Sequence, residues 1–147
     1  MEIVGGPRLS AVVTSLSSDA HTWNLVYLQL LLEELGCLVT NLGGCTPDET
    51  ILCECVTRRP DLVVVSSLNG HGCRDGLRLI GAIRACPESA AVPVVIGGKL
   101  DVAGGGDGRN AGRLLAAGFD AVFEDTGEFR SYVHRLASRA GTPIGAR

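Results

Sequence analysis

The sequence predicts an α/β fold built on a doubly wound five-stranded parallel sheet, and three observations predict it. Five apolar, β-branched runs alternate with segments of helical periodicity. The connections between them are short, which suits strand-to-helix crossovers. The run at residues 62–65 is apolar at every position, as a central parallel strand covered on both faces must be.

Each element has its own warrant. Strand one, residues 10–16, feeds into Ser17-Ser18-Asp19-Ala20-His21, a polar stretch where the chain turns. Over residues 23–35 the side chains Leu25, Val26, Leu28, Leu31, Leu32 and Leu35 recur near helical spacing, and Gly36 stands where a residue of positive φ closes a helix. Strand two, residues 37–42, leads to Thr46-Pro47-Asp48-Glu49. There Thr46 suits an N-cap, Pro47 the first helical position and Glu49 the return bond of a capping box. Helix two runs to about Arg58 and stops before Pro60. Strand three, residues 62–65, ends in Ser66-Ser67-Leu68 and belongs in the middle of the sheet. Helix three at 74–85, strand four at 92–96, helix four at 110–117, strand five at 119–123 and a last helix at 127–138 complete a Rossmann-like alternation. The 147 residues read as a single domain with its core at about 10–138 and a flexible tail at 139–147.

Composition removes whole classes of partner. The formal charge is −3, and the thirteen basic residues, twelve Arg and Lys99, form no basic run, so neither nucleic acid nor an anionic membrane surface is expected. No charged segment followed by a long apolar stretch opens the chain, and no apolar run approaches the ~18 residues of a membrane span; the expected location is the cytoplasm. None of the six cysteines lies in C-x-x-C spacing, and most are expected to be small buried apolar residues. Cys53 and Cys55, two apart on a helix, point in different directions and do not suit one metal. Gly104-Gly105-Gly106-Asp107-Gly108 lacks the Lys-Ser/Thr of a phosphate loop and reads as a connection.

In open α/β sheets ligands bind beyond the carboxyl ends of the strands. Three such ends stand out: Asp19-Ala20-His21 after strand one, Ser66-Ser67-Leu68 after strand three, and Gly97-Gly98-Lys99 after strand four. A lone loop histidine is more often a surface residue than a ligand. An Asp two residues earlier changes that balance, because a metal-bound imidazole needs an acceptor on its second ring nitrogen.

Together, Asp19-x-His21-x-x-Asn24, then 41 residues, Ser66-x-Leu68, then 28 residues, and Gly97-Gly98 resemble the D-x-H-x-x-G, S-x-L, G-G pattern of flavodoxin-like cobalamin-binding domains. The wider strings Ser18-Asp19-Ala20-His21 and Ser66-Ser67-Leu68-Asn69-Gly70-His71-Gly72 are most similar to the small subunits of glutamate (methylaspartate) mutases. The resemblance implies a cofactor with its dimethylbenzimidazole tail removed from cobalt and buried. His21 would then be the lower cobalt ligand and Asp19 would hold its other nitrogen, with Ser18, Ala20 and Thr22 in the same cofactor loop. Ser66 and Ser67 would line the tail, Ser66 bonding its base, and Leu68 would pack on it. Gly97 and Gly98 would admit the nucleotide, and Lys99 would line its phosphate or ribose. One departure from the pattern is Asn24, which stands where the family has glycine and brings a polar side chain to the tail channel.

The resemblance further implies adenosylcobalamin and a mutase component of the isomerase class. Such a component rearranges L-glutamate to L-threo-3-methylaspartate together with a large barrel subunit. The alternative is a non-catalytic corrinoid carrier or cobalamin-based sensor. A signalling receiver of similar layout would want an Asp at the end of strand three, where this chain has Ser66-Ser67. His71, after strand three, would face the corrin rim or a partner, and His134 on the last helix is expected to be solvated.

Overall fold

A computed structural model describes residues 9–17, 23–67, 72–98, 109–123 and 126–140. Its elements alternate strictly: β1 (Ser10–Ser15), α1 (Trp23–Glu34), β2 (Leu38–Gly43), α2 (Asp48–Arg58), β3 (Leu62–Ser67), α3 (Gly72–Ala85), β4 (Val94–Gly98), α4 (Arg109–Ala117), β5 (Ala121–Phe123) and α5 (Thr126–Ala140). The five strands are parallel, in the order β2-β1-β3-β4-β5. β3 is therefore central, and all six of its residues are buried, which is why it tolerates no polar residue before Ser66.

Two cores form because successive strand residues point to opposite faces. Ala11, Val13, Val64 and Val95 face Leu25, Leu31 and Leu32 of α1 and Phe129, Val133 and Leu136 of α5. Val12, Val63, Val65, Val94 and Ile96 face Ile51 and Cys55 of α2, Leu79, Ile80 and Ile83 of α3, and Leu114 of α4. Gly76 of α3 lets that helix sit close, since a Cβ there would stand 3.1 Å from both Ile96 and Leu114.

Several expected details move. Thr46 does not cap α2; its hydroxyl donates 2.8 Å back to the Gly43 carbonyl, while Pro47 takes the cap position without a side-chain bond. The capping box is therefore absent, and Asp48 and Glu49 serve the first turn through their charge alone. β4 begins at Val94 rather than at residue 92, because the Val92 N–H is spent in a turn on the Ser89 carbonyl. β5 is shortened similarly, the Phe119 N–H closing α4 on the Leu114 carbonyl. Gly36 does take a positive φ, 96°, after α1. Val26 leaves the core side of α1 and is 41% exposed. The last helix continues to Ala140, two residues past its expected end. Of the cysteines, Cys37, Cys55 and Cys73 are buried, Cys45 and Cys53 exposed and Cys86 half-buried, so half rather than most behave as core residues. No helix among the described residues is long and apolar enough to cross a membrane.

Candidate cofactor site at the carboxyl edge of the sheet

From β1 the chain travels through α1 to β2 on one side, and from β3 through α3 to β4 on the other. α1 packs on one face of the sheet and α3 on the opposite one. The connections after β1 and β3 thus leave neighbouring strands in opposite directions, which is the topological switch point where a crevice opens at the carboxyl ends. These are the connections that hold His21 and Leu68 in the sequence.

Parallel register builds the floor of this crevice. Ser15 pairs with Ser66, Ser66 with Gly97, and Gly97 with Phe123, in one row across four strands. Residues of one row share a face, and this row follows Val13, Val64 and Val95, so it lies on the α1 and α5 side. One row further on, Ser67 pairs with Gly98. Valines thus give way to hydroxyls and glycines where β1, β3 and β4 end.

The hydroxyls are buried but served. Ser15, fully buried, donates weakly to the carbonyls of Leu16 (3.3 Å) and Gly43 (3.4 Å). Ser66, 2% exposed, accepts a 2.6 Å hydrogen bond from the Asn24 side-chain amide at the start of α1. A hydroxyl with one lone pair filled still holds a proton to give, so this pair suits a ligand atom that accepts. Gly97 has a reason inside the fold: a Cβ there would stand 2.9 Å from the Phe123 carbonyl, so β5 itself excludes larger residues.

An ion-pair cluster that the sequence reading missed supports the rim. The Arg78 guanidinium on α3 bonds Asp48 of α2 (2.7 Å), the buried carboxylate of Asp75 (3.1 Å) and the hydroxyl of Ser17 (3.0 Å). Its bonds to Asp48 above all raise its pKa further, so its charge is permanent. Ser17 is the residue just before the Ser18 to His21 string, and Arg78 therefore anchors the root of that connection. The only sequence signal was the spacing Asp75 to Arg78, one helical turn.

Of the expected site residues, Asn24, Ser66, Ser67, Gly97 and Gly98 are brought together at the carboxyl edge. Ser18, Asp19, Ala20, His21, Thr22, Leu68 and Lys99 lie outside the described residues, as do His71 and the run at 104–108. His134 is exposed on α5, as expected. Cys53 and Cys55 do face apart, one exposed and one buried. Burial pushes the thiols of Cys37 and Cys55 up to about 11, which leaves both protonated and poor ligands. Among the described residues no three His, Cys, Asp or Glu side chains gather as a metal site.

Compared with known families, residues 9–128 match the B12 binding domain. The chain belongs to the B12-binding domain family. Within it, the chain is 32% identical to the glutamate mutase sigma subunit of Halobacterium salinarum over 124 residues, covering 84% of this chain and 82% of that one. It is 36% identical over 94 residues to the HTH-type transcriptional repressor CarA of Myxococcus xanthus, covering 63% of this chain but spanning only 31% of the repressor. Among solved structures, a cobalamin-binding protein of Desulfitobacterium hafniense shares the fold with a TM-score of 0.74 at 19% identity, covering 88% of this chain and 59% of that one.

Proposed function

We propose that this B12-binding domain is the small subunit of an adenosylcobalamin-dependent glutamate (methylaspartate) mutase, an isomerase component that works with a large barrel subunit. The observation that carries the reading is coverage: similarity runs over 82% of the sigma subunit's length, against 31% of the repressor's. In this reading His21 is the lower cobalt ligand and Asp19 holds its second ring nitrogen, orienting the imidazole. Ser18, Ala20 and Thr22 complete that loop. Ser66 donates to the buried tail base, with Ser67 and Leu68 beside it, and Gly97, Gly98 and Lys99 receive the nucleotide. The described donor set fits such a tail, since the buried Ser66 hydroxyl keeps its proton for an acceptor. When bound, adenosylcobalamin supplies a carbon radical through homolysis of its cobalt–carbon bond.

A single small α/β domain cannot wall off the upper face of so large a cofactor, so the substrate cavity falls to the partner. The surface of α1 supports a partner: Trp23, Val26, Tyr27 and Leu30 recur at i, i+3, i+4 and i+7 and are all exposed, Trp23 to 86%. This stripe starts two residues after His21, beside the cofactor loop. The test is to assay this chain and a large-subunit protein, separately and mixed, for 3-methylaspartate formation with added adenosylcobalamin. Activity in the mixture alone is expected. Turnover by this chain alone would overturn the need for a partner, and none in the mixture would transfer support to a non-catalytic corrinoid carrier or sensor, a regulatory role that the 36% identity to a transcriptional repressor favours.

A further inference from the structure

We infer that Asn24 is a positioning residue that fixes the direction of the Ser66 hydroxyl, so that the site selects a cofactor tail ending in a bare ring nitrogen. The inference rests on the proposed cofactor role of the crevice and adds a specificity device to it. A serine hydroxyl has one proton to donate and two lone pairs to accept with, and it rotates to suit its neighbours. The Asn24 amide removes that freedom. Its Nδ2 lies 2.6 Å from Ser66 Oγ and can only donate, so the Ser66 O–H must point away from it. Ser66 is 2% exposed, which keeps water from competing for that proton, and its hydroxyl makes no other hydrogen bond among the described residues. The row of Ser15, Ser66 and Gly97 sets this donor on the α1 side of the carboxyl edge. A tail base whose ring nitrogen has left cobalt presents a lone pair and matches it. A tail without such an acceptor leaves a buried O–H unsatisfied, a loss worth about tenfold in affinity.

Asn24→Asp reverses the arrangement with the same shape, because a carboxylate can only accept and draws the Ser66 proton to itself. Folding should survive, since residue 24 is the second residue of α1, where a negative charge is favourable. Titration calorimetry of the full chain with hydroxocobalamin and with cobinamide, which lacks the nucleotide tail, reads the effect. Asn24→Asp should weaken hydroxocobalamin binding about tenfold and leave cobinamide binding within about twofold. In a Ser66→Ala background the same change should have little further effect, because the hydroxyl it redirects is gone. Equal losses for both probes, no loss for hydroxocobalamin, or a full loss that persists without the Ser66 hydroxyl would each overturn the inference, the last by showing plain charge repulsion. A wild-type chain that binds neither probe would remove the cofactor reading itself.

Discussion

At residue scale, the carboxyl edge is built from positions where one atom decides the outcome. Gly97→Ala places a methyl 2.9 Å from the Phe123 carbonyl, and backbone on both sides must shift to admit it. We expect a loss of about 1–3 kcal/mol in urea unfolding, even with no ligand added; an unchanged midpoint would mean that β5 yields freely. The buried thiols give a second test. Burial raises Cys37 and Cys55 from 9.0 to about 11, so the folded chain holds two protons that the unfolded chain releases sooner. Stability from this source is whole below pH 9 and falls as pH rises through about 11. Melting temperature should drop across that window and drop less in a Cys37→Ala, Cys55→Ala double variant. Equal slopes would deny the thiols a part.

Among elements, α2 and α3 are tied to the end of β1 through one guanidinium. Arg78→Met keeps the stem of the side chain but removes the guanidinium that ties the buried Asp75 carboxylate to Asp48 and Ser17. Cobalamin affinity should fall several-fold, and protease cleavage between residues 17 and 23 should quicken; unchanged values for both would show that Arg78 serves packing alone. This cluster was hidden from the sequence because its members come from three separate segments, at 17, 48 and 75–78. The strands were legible, since a parallel strand under two helical layers must be apolar within the sheet, as β3 is from Leu62 to Val65. Their starts were not. Val92 and Phe119 have the composition of strand residues, yet their N–H groups close turns, which composition does not record. Thr46 failed as a cap for a related reason, since the Gly43 carbonyl competes for its hydroxyl.

Across the whole molecule, alternation of strands and helices was enough to predict the layers, and the strand order places the switch point between β1 and β3. The described motif residues, Asn24, Ser66, Ser67, Gly97 and Gly98, meet at that edge because parallel register sets every strand's carboxyl end on the same side. What the sequence did not reveal is the contact of Asn24 with Ser66 across 42 residues, since spacing locates a loop but not the reach of a side chain. The proposed cofactor role turns on axial ligation of cobalt by His21. Electron paramagnetic resonance of the chain loaded with cob(II)alamin tests it most directly, in protein with natural-abundance and with ¹⁵N-labelled histidine. Ligation by His21 gives a nitrogen superhyperfine triplet that becomes a doublet on labelling, and in His21→Ala the label no longer changes the pattern. A wild-type triplet unchanged by the label, or a label effect that persists in His21→Ala, would contradict it.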